Sequence, residues 1–185
     1  MVLLRFAFTL LTALAAADPL QAAPGAAQAL ASLAQRYQDT LARLDPVAAT
    51  QAGDNRFNDQ LVITIAPAQR TQHFAALRQL QQALLRIPVA ALGDADALTH
   101  ELLAHDLAAR LALERFPEHL LPLQHMDSLP VLLANFGSGQ AEQPLQTAAQ
   151  YRAYLRRIGR LPAWADQAIA NLREGRRRGI VQARA

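Results

Sequence analysis

The chain has 185 residues, of which 52% are hydrophobic, 5% aromatic and 18% charged, and its formal net charge is +3. This length supports one hydrophobic core and is short for two ordinary domains. The sequence contains no cysteine, which excludes disulfides, thiolate chemistry and a Cys-ligated metal.

Residues 1–22 are typical of a secretory signal peptide. Arg5 supplies the positive start, positions 6–17 form an apolar run, and Asp18 with Pro19 interrupts it. The apolar run is short for a helix that crosses a bilayer. We therefore predict export, to the periplasm in a bacterium, and a mature single domain over residues 23–185. An uncleaved N-terminal anchor is the alternative.

The remaining chain is predicted to be all-α, because leucine and alanine dominate its apolar residues and both favour helices. Apolar stripes at steps of three and four, bounded by Pro, Asp and Gly, indicate helices at 26–44, 46–52, 67–87, 94–116, 130–136, 147–158 and 162–179. We predict an antiparallel array of about three long and three or four shorter helices.

Several local expectations accompany this array. Asp45-Pro46 is a helix start, Gly53 a helix end, and Thr147 with Gln150 a capping box. The helix over 94–116 carries leucines around a wide arc, so it is expected at the centre of the bundle. The helix that starts at the capping box carries Tyr151, Tyr154, Leu155 and Ile158. On the last helix, the residues expected to face inward are Trp164, Ile169 and Leu172.

One string, HELLAH at 100–105, is similar to the zinc-peptidase helix motif, in which two histidines four residues apart share a helix face. Here the spacing is five. At about 100° per residue, five steps turn the two rings about 140° apart. The spacing therefore predicts one partly buried, hydrogen-bonded histidine and one exposed histidine, with no metal site between them.

Two further clusters are weaker candidates. Glu118, His119, His125 and Asp127 have the side chains that suit zinc, but their spacing is not diagnostic and such residues are common in loops. The string REGRRR at 173–178 could bind phosphate or anionic lipid. It lacks a nucleic-acid motif, so a solvated helix face is the simpler interpretation. Ser32, Ser128 and Ser138 lack the surroundings of a nucleophile.

Four segments together resemble a known family. They are LDPVAATQAGD at 44–54; RFND at 56–59; PLQT at 144–147 followed by Tyr151 and YLRRI at 154–158; and LP at 161–162 followed by DQAI at 166–169, REG at 173–175 and GIV at 179–181. In order and spacing they resemble the N-terminal part of the bacterial family called domain of unknown function 885. Proteins of this family are exported and mostly helical, and they look like distant relatives of helical zinc carboxypeptidases and oligopeptidases.

The resemblance implies that this chain is the non-catalytic N-terminal helical region of such a protein. Members of the family are expected to be longer and to carry a His-Glu string followed by Pro-Gly-His, and Pro-Gly-His does not occur here. No catalytic, cofactor-binding or metal-ligating residue is therefore carried over, and an enzyme is not expected. We expect that positions 182–185 end partway through the family sequence. The expected partner is the C-terminal half of the family protein. The alternative is a self-standing periplasmic module that binds a peptide or protein.

Overall fold

The computed structural model describes residues 24–124 and 128–182. Within these ranges it contains α-helices and short 3₁₀ turns, and no strand. The α-helices are α1 (Pro24–Leu44), α2 (Pro46–Gln51), α3 (Pro67–Leu85), α4 (Asp94–Ala112), α5 (Leu129–Gly137), α6 (Ala148–Ile158) and α7 (Leu161–Arg177). The all-α prediction is confirmed. The predicted signal peptide lies outside the described residues, as do His125 and Asp127. No described helix is long and apolar enough to cross a membrane.

The helix boundaries follow the residues that predicted them. The Asp45 carboxylate accepts a hydrogen bond from the Ala48 backbone N–H at 3.0 Å, and Pro46 occupies the first turn of α2. Gly53 follows that helix with a φ of +86°, a conformation that side chains with a Cβ rarely adopt. At the start of α6, Thr147 and Gln150 form the predicted capping box.

The larger core lies between α1, α3 and α4. Each buried stripe matches the predicted spacing on α1 and α3, and the core residues are Leu30, Leu33, Tyr37, Phe74, Leu77, Leu80, Leu84, Ile87, Leu92 and Leu107. Helix α4 is not central, contrary to the prediction. Its only fully buried residue is Leu107, whereas Leu98 and Leu102 are 57% and 61% exposed. Its wide leucine arc extends beyond the face that α1 and α3 cover.

A smaller core joins α2 and α5. It consists of Val47, Leu61, Leu133 and Phe136, with Tyr154, Ile158 and Leu161 packed against its edge. The inward face of α7 differs from the prediction, because Ile169 is exposed. On α6, Tyr151 and Leu155 are exposed. The fully buried positions on these helices include Arg157, Asn171 and Gly175, which a hydrophobic pattern does not mark.

Candidate functional site

The most buried charged side chain is Arg157 on α6, which has 0% exposure. Its Nε donates to the Gln60 carbonyl at 3.0 Å, and its Nη1 donates to Gln143 Oε1 at 2.8 Å. The acceptors of its Nη2 are the Pro46 carbonyl at 3.2 Å, Thr50 Oγ1 at 2.9 Å and the Phe57 carbonyl at 2.8 Å. Arg157 thus joins α2, the 3₁₀ turn Asn55–Phe57, the residues after that turn and the segment before α6.

None of the Arg157 acceptors is a carboxylate. Burial lowers its pKa to about 10, and the more distant carboxylates of Asp59 and Asp45 act in the opposite direction. That pKa is far above neutral, so the guanidinium is charged at pH 7. The charge also lies 5.7 Å from the centre of the Phe136 ring. A buried cation held by neutral oxygens fixes geometry, because every acceptor must stay in place to offset the lost hydration.

The neighbours of Arg157 continue the network. The Thr50 hydroxyl lies 2.7 Å from Asn58 Oδ1, and Gln143 Nε2 donates to the Asn58 carbonyl at 3.2 Å. Thr50, Asn58 and Gln143 are all buried. Buried polar side chains that satisfy one another in this way specify one arrangement of the surrounding backbone. We refer to Arg157, Thr50, Asn58 and Gln143 as the arginine hub.

An open pocket of about 440 Å³ lies beside the hub, between α3, α4 and the 3₁₀ turn Glu118–Leu120. Its charged and imidazole side chains are Asp45, Arg70, His73, Arg110, Glu118 and His119. Its apolar side chains are Leu44, Ile65, Phe74, Leu113, Leu121 and Pro122. A concave apolar surface with a few polar groups is the usual form of a small-ligand site, and its volume lies in the lower part of the usual range of about 300–1,000 Å³.

Burial lowers the pKa of both histidines in the pocket. For His73 the Asp45 carboxylate opposes this shift in pKa, and the guanidinium groups of Arg110 and Arg70 reinforce it. For His119 the pKa is lowered by burial and then by Arg70 and Arg178. Both rings are therefore neutral at pH 7. The charged groups that act on His119 are the guanidinium groups of Arg70 and Arg178, with Glu118 next to it in the lining, whereas Asp45 also acts on His73.

Two polar groups of the pocket lack full hydrogen bonding among the described residues. His119 Nδ1 is buried and has no partner there. Arg110 Nε donates to Asp106 Oδ2 at 2.7 Å and to the Tyr37 hydroxyl at 3.1 Å, while neither of its Nη atoms has a partner in the same ranges. Buried polar atoms without partners are uncommon in native proteins, and His119 Nδ1 is such an atom, whereas the Arg110 side chain is 41% exposed and its Nη atoms can bind water or a ligand.

Tyr37, Asp106 and Arg110 form a cluster that holds Arg110 against the pocket. The Tyr37 hydroxyl donates to Asp106, and burial together with this hydrogen bond raises the pKa of Tyr37 to about 12. Tyr37 comes from α1, whereas Asp106 and Arg110 lie one turn apart on α4. Sequence reasoning missed this cluster; the only signal was the i, i+4 pairing of an acid with an arginine on a helix.

The histidines of the HELLAH string are placed as their spacing predicts. His100 is half-buried, with Nε2 lying 3.2 Å from the Leu84 carbonyl, and His105 is exposed. Of the second predicted cluster, Glu118 and His119 both line the pocket. Within residues 24–124 and 128–182, no three His, Asp or Glu side chains are close enough to hold a metal ion. The expected absence of a metal remains a prediction.

The arginine run at 173–178 lies at the exposed end of α7. Arg177 forms an ion pair with Glu174, and Arg178 follows the helix, close enough to His119 to affect its pKa. The other face of α7 fixes the edge of the pocket. Asn171 Nδ2 donates to the carbonyls of Ile65 and His119, each at 2.9 Å.

These observations define an all-α protein with a mixed-charge pocket held by buried polar side chains. A family model described as "Bacterial protein of unknown function (DUF885)" matches residues 46–185. The chain belongs to this family, and the resemblance seen in the sequence is confirmed. No curated protein and no solved structure matches the chain.

Proposed function

We propose that this chain is a non-catalytic helical part of an exported zinc-peptidase-like protein, in which its pocket holds part of a peptide. The zinc-peptidase character comes from the sequence resemblance, and export from Arg5, the apolar run and Pro19. Family membership supports the proposal at its coarsest level, a bacterial protein of unknown function. The non-catalytic role is supported by the absence of a Pro-Gly-His string from the sequence.

The observation that carries the proposal is the pocket. It combines an apolar wall, formed by Phe74, Leu113 and Leu121, with guanidinium, carboxylate and imidazole groups. Peptides present the complementary chemistry, because they alternate apolar side chains with backbone donors and acceptors. The hydrogen bonds from Asn171 to the carbonyls of Ile65 and His119 hold the backbone of two residues that line the pocket, which lowers the entropy cost of binding.

Binding to the full chain tests this proposal. The probe is a mixed pool of fluorescein-labelled decapeptides with free C-termini, followed by fluorescence anisotropy. Leu113→Trp should weaken binding about tenfold, because Leu113 lines the pocket and the larger ring fills it. Leu102→Trp is the matched control, since Leu102 lies on α4, the helix that ends directly before Leu113, is 61% exposed and does not line the pocket.

The same samples test the non-catalytic part. Mass spectrometry of the peptide pool should show no cleavage product, and metal analysis should show no stoichiometric zinc. One tightly bound zinc per chain that is lost in His100→Ala or His105→Ala would contradict the proposal. Equal binding by the Leu113→Trp and Leu102→Trp variants would show that the pocket is not the peptide site.

The exposed face of α4 favours a second candidate, a self-standing module that binds a protein. Val89 and Leu98 line a shallow groove there, and Leu102 is exposed beside it. Contiguous exposed apolar surface promotes association. If this surface instead packs against a further part of the protein, sedimentation velocity at rising concentration should show self-association of the full chain, which the double variant Leu98→Gln/Leu102→Gln reduces. A monomer at all concentrations, with a sharp thermal transition, would favour the self-standing module.

A further inference from the structure

The charges in the pocket are arranged with opposite signs at different places. Asp45 lies at the start of α2, where its Oδ1 accepts from the Ala48 N–H, and no described residue engages its Oδ2. Arg70 is half-buried on α3, where it makes a 3.4 Å hydrogen bond to the Phe116 carbonyl and lies 5.2 Å from the centre of the Phe74 ring, and no described carboxylate pairs with it. Arg110 presents two Nη atoms without partners in the described ranges. The pocket therefore brings together a carboxylate and guanidinium groups that can accept a further ligand, although Arg110 is also ion-paired with Asp106.

The charged side chains near His73 and His119 indicate how a ligand with two opposite charges would be oriented. His73 is close enough to Asp45, Arg110 and Arg70 to be influenced by all three, whereas His119 is influenced by Arg70 and Arg178 and by no acid. A ligand that carries a positive and a negative group would place its positive group towards Asp45. Its negative group would lie towards Arg70 and His119.

We infer that the pocket binds the free amino and carboxylate termini of a short peptide, with the ammonium at Asp45 and the carboxylate at Arg70 and Arg110. This inference rests on the proposed function, since it names the chemistry of the peptide. A guanidinium group holds a carboxylate through two parallel N–H donors, which matches the unpaired Nη atoms of Arg110.

Size and shape limit the ligand to a few residues. A pocket of about 440 Å³ is small for a long peptide, and its wall of Phe74, Leu113 and Leu121 suits aliphatic side chains. A leucine dipeptide meets both conditions and carries both termini within its length. A peptide whose ends are blocked retains the apolar contacts and loses the charged ones.

The test uses the full chain and calorimetric titration with three probes: Leu-Leu, its N-acetyl derivative and its C-terminal amide. Leu-Leu should bind about ten to a hundred times more tightly than either blocked form, the range expected for hydrogen bonds to charged groups. These comparisons use the unaltered protein, so they do not depend on how any variant folds.

Matched variants then assign the two ends. Arg70→Gln should weaken Leu-Leu to the level of the amide and change binding of the amide little, because the two losses concern the same contact. Asp45→Asn should weaken Leu-Leu to the level of the N-acetyl derivative and change binding of the N-acetyl derivative little. Asparagine can still cap α2. Arg78→Gln is the control, since Arg78 lies on the same helix as Arg70 and pairs with Glu114 outside the pocket.

The outcomes separate this inference from the proposed function. The inference that the termini are recognised is wrong if the decapeptide pool binds and all three dipeptides bind equally. It is also wrong if Arg70→Gln has the same effect as Arg78→Gln. In both cases the proposed peptide binding is still supported. If neither the pool nor any dipeptide binds, both are wrong. Preference for Leu-Leu that Arg70→Gln and Asp45→Asn abolish separately supports both.

Discussion

Replacing Arg157 by methionine tests whether the arginine hub holds the fold together. Methionine fills much of the volume of the arginine stem and removes all of its N–H donors. The carbonyls of Pro46 and Phe57 keep other donors, namely the Thr50 hydroxyl and the Gln60 N–H. The Gln60 carbonyl and Gln143 Oε1 have no other donor among the described residues.

The cost follows from the acceptors left unpaired. Each buried acceptor without a donor costs about 1–3 kcal/mol, and removal of a buried charge returns part of the desolvation energy. We expect Arg157→Met to lower the free energy of unfolding by about 3 kcal/mol, a large part of the roughly 5–15 kcal/mol of a typical domain. Arg157→Lys keeps the charge but has three donors in the wrong geometry, so its loss should be smaller and still measurable.

Urea unfolding followed by circular dichroism measures this loss. With a slope of about 2 kcal/mol per molar, Arg157→Met should move the midpoint down by about 1.5 M. Arg156→Met is the matched control, because Arg156 is next to Arg157 in sequence but is exposed. Its ion pair with Asp59 at 3.4 Å contributes below about 1 kcal/mol. Equal midpoint shifts for the two variants would refute the argument that the hub stabilises the fold.

Three further results are expected. Mass spectrometry of periplasmic material should show a protein that lacks residues 1–22, and an intact N-terminus would contradict the export prediction. Gly175→Ala should lower the melting temperature by about 3 °C, because a Cβ there would lie 2.9 Å from the Ile180 carbonyl oxygen and 3.1 Å from that of Leu120; an unchanged or higher value would show that the backbone yields. The pKa values of His73 and His119 are lowered by burial, so the unfolded chain takes up protons first as the pH falls. Unfolding free energy from urea titrations should be level above about pH 7.5 and decrease as the pH falls through about 6.5, and it should stay level in a variant with glutamine at both positions.

The sequence predicted the helices because their boundaries depend on neighbouring residues. Asp45 caps α2, Thr147 and Gln150 cap α6, and Gly53 adopts the positive φ that ends a helix. Leucine spacing on α1 and α3 likewise placed their buried faces. The same pattern was wrong for α4, because an arc of leucines indicates a need for neighbours and does not show that neighbours are present.

The arginine hub could not be predicted in this way. The acceptors of Arg157 include Pro46 and Thr50, which lie more than a hundred positions away in sequence. Hydrophobic periodicity treats arginine as a surface residue, so it draws attention to the apolar residues of α6, of which Tyr151 and Leu155 are exposed, and not to Arg157, which is buried. The charged residues of the pocket come from separate elements with no common spacing, and only Glu118 and His119 stood out in the sequence.

The hub and the pocket meet at two consecutive residues. The Pro46 carbonyl accepts from Arg157, and the preceding residue, Asp45, lines the pocket. Arg70 and His119 are instead held by α3 and by the hydrogen bond from Asn171 to the His119 carbonyl. Loss of the guanidinium in Arg157→Met should therefore disturb the Asp45 end of the pocket more than the Arg70 end. In the dipeptide titrations, this variant should lose preference for a free amino terminus and keep preference for a free carboxylate, whereas equal loss of both would indicate that the whole pocket had collapsed.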